Sequence, residues 1–279
     1  MRTFGMRAFH REAGLQAALV ALSLIVVLPF LWVFAASFRS QINLLMGEFW
    51  FAPTLTAYRE VLFSRTSTFL NNAQNSLVVG IASTALSLMA ATLGAWSLHR
   101  MAWPRWWVHL LLLWALVLQM IPPVALAGGW FVMARAVGLD NTLVGLVLAH
   151  ATLNLPMALW MMGVYVRDVP QELVEAARLD GASTPVLLWR VVLPLAAPGL
   201  AAAGVLCFVF SWNEFAAALN LTMRQTATVP VAIAKFAQEF EIRYVEMAAA
   251  ASLSAVPALL LLLLAQRWIV KGLTLGAVK

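Results

Sequence analysis

Residues 167–198 read RDVPQELVEAARLDGASTPVLLWRVVLPLAAP, a polar stretch set between two long apolar segments. Its punctuation predicts a helix, a tight turn and a second helix. Asp168 or the residue after it can cap the first helix. Pro170 fits that helix's first turn, where a missing N–H costs nothing, and Gly181 suits a left-handed residue just past its end. Ser183 or Thr184 then caps the second helix, with Pro185 at its first position. Leu173, Ala176, Ala177 and Asp180 fall on one face of the first helix by the i, i+3, i+4, i+7 rule. Glu172, Glu175 and Arg178 flank that face. A short helix with a nearly smooth face, exposed beside apolar segments, is built to dock on another surface.

The flanking segments set the class. Hydrophobic residues make up 63% of the 279 and charged residues 11%, too apolar a balance for a soluble domain of this size, so the solvent for most of the chain is lipid. Six windows reach the roughly 20 apolar residues needed to cross a bilayer core. They lie near Leu15 to Ala36, Asn75 to Ser97, Trp106 to Ala127, Leu143 to Tyr165, Ala197 to Leu219 and Met247 to Ile269. In hydrocarbon, backbone groups must bond within their own segment, so the windows are helices. The expected fold is all-α: a polytopic membrane protein with six spans in a single transmembrane domain over residues 1–279, and a cytoplasmic loop at 167–195 between spans four and five.

Orientation follows from Lys and Arg. With the N-terminus inside, the inner side holds Arg2, Arg7, Arg11, Arg100, Arg105, Arg167, Arg178, Arg190, Arg267, Lys271 and Lys279, eleven of the eighteen cations. The outer side holds Arg39, Arg59, Arg65, Arg135, Arg224, Lys235 and Arg243, and seven of the twelve acids. The positive-inside rule places both termini and the 167–195 loop in the cytoplasm. The basic balance thus reflects membrane orientation, and nothing in it points to nucleic acid. The run after Arg11 is too long for a signal-peptide core and has no clean cleavage site, so it reads as a retained span. Cys207, the lone cysteine, falls inside the fifth span as a small packing residue.

Between spans, Phe38 to Asn72 reads as a surface helix, a partner-facing loop or an interfacial aromatic anchor. Asn71, Asn72, Gln74 and Asn75 cap and enter the second span. The third span breaks at Ile121, Pro122 and Pro123, either ending there or opening a cavity, and Trp130 to Leu139 forms a short outer piece. Asn154 beside Pro156 in the fourth span supplies a helix-to-helix hydrogen bond or lines a pathway. In the fifth span Glu214 faces a cavity or a partner, or else lies high enough to reach outer water. Asn75, Gln119, Asn154, Asn213 and Glu214 supply donors and acceptors for a solute, with Trp130 and Trp212 as stacking faces. By these limits the one Lys or Arg inside a window is Arg267, two residues from the inner end of the sixth, and a core otherwise free of cations favours a neutral solute over an anionic one.

No G-x-x-x-x-G-K-[ST] phosphate loop occurs. His10, His99, His109 and His150 are scattered and read as packing or interfacial residues, and no metal-ligand spacing or catalytic constellation is present. Two function classes remain: a passive translocation subunit driven by a separate ATPase, and an ion-coupled secondary carrier, which would call for inverted repeats and intramembrane ion-pairing residues.

The spacing of Glu175, Ala176, Ala177, Gly181, Val191, Leu193 and Pro194 resembles the EAA loop of ATP-binding-cassette importer permeases, with Val191 where the pattern usually has isoleucine. NNAQNSLVVG (71–80), GLDNTLVGLVL (138–148), FSWNEF (210–215), VPVAIAKF (229–236) and KGLTLGAVK (271–279) extend the likeness to the carbohydrate-uptake branch. There the chain is similar to the shorter membrane subunit of maltose- and trehalose-type importers. The resemblance implies a subunit of the bacterial inner membrane, not an enzyme itself and without a cofactor or metal of its own. Glu175, Ala176, Ala177, Asp180, Gly181, Leu193 and Pro194 would couple it to an ATPase dimer that uses ATP and Mg2+. It further implies a second permease subunit, an extracytoplasmic solute-binding protein, and a C-terminal tail whose Thr274, Leu275, Gly276 and Lys279 contact the ATPase. The solute would be a neutral sugar, a di- or oligosaccharide, with a polyol or glycerol phosphate as alternatives.

Overall fold

Apolar runs without internal Gly or Pro clusters propagate as long helices, and four of them do so here. In a computed structural model, which describes residues 2–237 and 242–275, with side chains for 12, 14–237 and 242–266, every regular element is a helix and no strand occurs among the described residues. In chain order these are α1 (Arg2–Ala36), α2 (Gln41–Leu45), α3 (Thr56–Phe63), α4 (Phe69–Arg100), α5 (Arg105–Met120), α6 (Pro123–Ala136), α7 (Leu143–Arg167) and α8 (Gln171–Leu179). Then come α9 (Thr184–Leu187), a π-helical turn over Leu188–Val192, α10 (Leu193–Leu195), α11 (Ala197–Asn213), α12 (Ala216–Leu221), α13 (Val229–Ala234) and α14 (Tyr244–Leu275). Gly14–Ala36, α4, α7 and Tyr244–Gln266 are each long and apolar enough to cross a membrane. Two further candidates are bent pairs: α5 with α6 at 101°, and Thr184–Leu195 with α11 at 81°.

The chain forms two compact units, residues 1–67 with 233–253 and residues 68–232 with 254–279. In the first, the segment after α1 is pinned by a hydrogen bond between Ser37 Oγ and Tyr58 Oη (2.7 Å) and by Thr54 N donating to Phe38 O (2.8 Å). Arg39 is buried, with its guanidinium 5.1 Å from the Trp32 ring and 4.5 Å from that of Phe51. The 38–72 stretch thus contains two short surface helices, α2 and α3.

In the second unit α4 packs along α7. Ser83, Ser87, Ala91 and Ala95 on α4 and Ala149, Ala151 and Ala158 on α7 are buried, the small-residue faces that let membrane helices approach closely. Below them a core of Trp96, Met162, Val166, Val169, Val174, Leu187, Leu188 and Val192 ties α4, α7 and α8 to the π turn. The Tyr165 ring packs against Gly199 at the start of α11, where a Cβ would collide with it.

Several local expectations are corrected. The asparagines do not cap α4, which begins at Phe69 after Thr68. Instead they hold the outer loop: Asn71 Nδ2 and Asn75 Nδ2 each donate to Gln225 O (2.8 Å), Asn75 Nδ2 donates also to Ala227 O (3.0 Å), and Val229 N donates to Ser76 Oγ (2.8 Å). The window drawn from Trp106 to Ala127 is two helices. Ile121 and Pro122 are extended, as residues before proline prefer, and Pro123 restarts the chain in a new direction. The outer piece expected over Trp130 to Leu139 therefore begins at Pro123. The window to Leu219 stops at Asn213, because Glu214 is extended and spends its carboxylate on the next helix. Asp168 closes α7 rather than opening α8, and Pro170 stands at the N-cap position of α8 instead of in its first turn. Ser183 is the N-cap of α9 but makes no side-chain bond, and Thr184 precedes Pro185 in the helix. Gly276 and Lys279 lie outside the described residues, as do the side chains of Thr274 and Leu275.

Candidate functional site

Where α5 turns into α6 and α11 breaks before α12, the helix ends cannot close against α7, and a cavity of about 500 Å³ opens between them. That volume lies within the usual range for small-molecule sites. Its wall carries Gln119 from the end of α5, Trp130 from α6, His150 and Asn154 from α7, Ser211 and Asn213 from the last turn of α11, and Glu214 from the break after it, among mainly apolar neighbours. No Lys or Arg is among the lining residues.

Glu214 has a defined posture. Its Oε1 accepts from Ala217 N (2.9 Å) and its Oε2 from Ala218 N (3.1 Å), so the carboxylate satisfies first-turn donors of α12 that would otherwise be orphaned. His150, fully buried, stands behind it with Nε2 3.3 Å from Glu214 Oε2, close enough to pair but off the line of a hydrogen bond. The ring is oriented from its other side. Ser83 Oγ donates to Ser211 Oγ (3.0 Å), and Ser211 Oγ lies 2.7 Å from His150 Nδ1. With the Ser211 proton directed to Nδ1, Nε2 is the ring donor facing the carboxylate. Asn154 Nδ2 donates to Cys207 O (3.1 Å), which joins α7 to α11 while the residue also borders the cavity. Asn213 is exposed, its Nδ2 turned back to Val209 O (2.8 Å).

The cavity therefore gathers five of the seven solute-contact candidates, Gln119, Trp130, Asn154, Asn213 and Glu214. Trp212 and Asn75 are elsewhere. Trp212 is buried, stacked on Phe208 at 5.8 Å, with Nε1 donating to Ser254 O (3.0 Å), and Asn75 serves the outer loop. His150 and Ser211 were not foreseen. His150 shares no motif with Glu214, 64 positions further on, and only the packing of α7 on α11 joins them.

A second arrangement lies at the far end of α7. α8 closes in a Schellman turn: Gly181 N donates to Arg178 O (3.0 Å), Ala182 N donates to Ala177 O (2.9 Å), and Gly181 has φ +82°. The helix anchors itself through Val174, 2% exposed, and through Ala177. Leu173, Glu175, Ala176 and Asp180 stay exposed, beside Leu179 at 89% and Trp189 at 73%. Leu193 is half-buried and Pro194 exposed beyond the π turn. The helix is thus seated through Val174 and Ala177, with the apolar side chains of Leu173, Leu179 and Trp189 left open.

Residues 83–275 match the protein family described as "Binding-protein-dependent transport system inner membrane component". The chain is 36% identical to the trehalose transport system permease protein SugB of Mycobacterium tuberculosis (strain CDC 1551 / Oshkosh), over 91% of this chain and 92% of that one. It is 33% identical to the trehalose/maltose transport system permease protein MalG of Thermococcus litoralis, over 93% and 94%. Among solved structures, a bacterial ABC transporter involved in the import of the acidic polysaccharide alginate superposes with a TM-score of 0.75 at 22% identity, over 92% of this chain and 96% of that one. The last likeness is one of fold.

Proposed function

This chain belongs to the family of binding-protein-dependent transport system inner membrane components, and on that premise we propose that it forms part of the pathway by which a neutral di- or oligosaccharide enters the cytoplasm. It is a multi-pass permease subunit of an ABC importer, with ATP hydrolysis carried by a separate subunit. Family membership sets aside the ion-coupled carrier.

The observation that carries the solute class is the cavity wall: amides, a serine hydroxyl, a tryptophan, and one carboxylate already paired with an imidazole, without Lys or Arg. A polyhydroxy compound needs hydrogen-bond partners that accept and donate, with an aromatic face for its C–H surface. A phosphorylated or carboxylated solute in the same low-dielectric space would need a compensating cation, since an unpaired buried charge costs several kcal/mol. The sugar specificities named for SugB and MalG support the same choice.

The partners follow from the same reading. A second permease completes the pathway, an ATPase dimer with ATP and Mg2+ docks on the α8 face, and an extracytoplasmic binding protein delivers the solute. Glu175, Ala176, Ala177, Asp180, Gly181, Leu193 and Pro194 are the proposed coupling residues, and both termini lie in the cytoplasm. The bent pairs α5–α6 and Thr184–α11 count as two of six spans.

The test is uptake by the complete importer in vesicles. Asn213→Ala and Glu214→Gln are expected to lower the uptake rate for a neutral disaccharide by about tenfold each, the worth of one hydrogen bond to the solute. Normal uptake in both variants would take these residues out of the pathway. Saturable uptake of a phosphorylated sugar would overturn the neutral-solute assignment.

A further inference from the structure

Arg100, the last residue of α4, does more than mark the membrane edge. Its Nη2 donates to Val166 O (3.0 Å) and Arg167 O (3.5 Å), carbonyls left without helical partners where α7 ends, and to Val169 O (2.5 Å) in the linker before α8. Its Nη1 donates to Gln171 Oε1 (2.6 Å) on the first residue of α8. Gln171 Nε2 in turn donates to Glu175 Oε1 (3.1 Å). One guanidinium thus joins the ends of α4 and α7 to α8 and, through one amide, to the glutamate of its docking face. The neighbouring His99 lies against Gly163 on α7. At the other level of the same helix pair, Ser87 Oγ donates to Ala151 O (3.2 Å), next to His150 on the cavity wall.

We propose that Arg100 is a positioning residue that fastens α8 to the α4–α7 pair, so that a displacement of α8 reaches the cavity wall as a rigid movement of both helices. The inference rests on the reading of α8 as the joint with the ATPase. A planar fork suits the task because it bonds several acceptors at once in fixed directions, which an ammonium group does not. A purely apolar joint at Val166, Val169 and Val174 would hold the elements together but would leave the rotation of α8 about its own axis weakly defined. The polar chain Arg100–Gln171–Glu175 sets that rotation.

The test measures solute uptake and ATP hydrolysis on the same vesicles containing the complete importer. Arg100→Ala is expected to lower uptake per ATP hydrolysed by about tenfold, Arg100→Lys by about threefold and Gln171→Ala by about twofold, in the order of the charge-assisted bonds each removes. The double variant Arg100→Ala/Gln171→Ala should be no worse than Arg100→Ala alone, since both cut one chain. Should Arg100→Ala fail to assemble, Arg100→Lys and Gln171→Ala decide. An unchanged ratio in these two, or a fall of uptake and hydrolysis in equal proportion, overturns the proposal. Gly181→Val in the same assay separates the two readings. If it uncouples while the Arg100 and Gln171 variants do not, α8 remains the joint and Arg100 loses its role. If it too keeps the wild-type ratio, α8 is not the joint and both readings fall.

Discussion

Glu214 carries two demands on one side chain. It borders the cavity, and it bonds the first N–H groups of α12. The second demand explains how a carboxylate is held at this depth, because backbone donors and the nearby His150 replace the water it has lost. The two roles separate by substitution. Glu214→Ala should lower the unfolding free energy of the subunit by about 1–2 kcal/mol through loss of the cap, and Glu214→Gln, which keeps one carbonyl acceptor, by less. Thermal unfolding of the purified complex in detergent measures this. A Gln variant as stable as wild type yet poor in uptake would place the carboxylate's charge in the pathway. Equal stability and equal uptake would leave it as neither cap nor contact. The sequence singled out Glu214 by its cost in a membrane span but was silent on His150, because a buried histidine in an apolar helix reads the same whether or not a carboxylate lies opposite.

At the scale of the element, α8 is bounded by two unlike ends. Its C-terminal turn is legible in the chain, since a small run ending in Asp-Gly-Ala specifies a left-handed residue at Gly181, and φ +82° is found there. The space around Gly181 is open, so the penalty for a side chain is backbone strain of about 1–2 kcal/mol and not a clash. Gly181→Val should therefore leave the membrane helices intact and turn the end of α8. The expected outcome is normal assembly with solute-stimulated hydrolysis but uptake reduced about tenfold, the equivalent of that strain in population. Wild-type coupling in the variant would count against α8 as the joint. The N-terminal end differs from the local reading for a physical reason. Asp168 can cap a helix, but α7 runs on to Arg167 and Asp168 closes it, its N donating to Val164 O (3.1 Å), so α8 opens at Pro170 without a side-chain cap.

At the scale of the whole molecule, the distribution of charge makes the strongest remaining claim. Eleven of eighteen cations fall on the side assigned to the cytoplasm, which predicts both termini and the 167–195 loop inside. A cysteine introduced at Leu179, almost fully exposed, should react with an impermeant maleimide only in inside-out vesicles, and one at Trp50, 95% exposed, only in right-side-out vesicles. The native Cys207 is buried and should contribute little background. The opposite pattern would invert the topology and remove α8 from the reach of a cytoplasmic ATPase.

By itself the sequence determined the solvent, the helical class and the left-handed residue that ends α8. Each of these is carried by composition or by residues within about one helical turn of one another, where local sterics and bilayer thickness decide. The tertiary structure alone decided where the apolar windows bend, which polar groups meet, and which only support the backbone. Asn75 and Glu214 both read as polar groups at a membrane level, yet one holds an outer loop and the other borders a cavity. Arg100 read as a boundary charge, yet its guanidinium spans the ends of three helices. Such outcomes depend on pairings between α4, α7, α8 and α11 across tens of residues. No local propensity encodes them, because the free energy that selects them comes from burial and hydrogen bonding that exist only once the helices have packed.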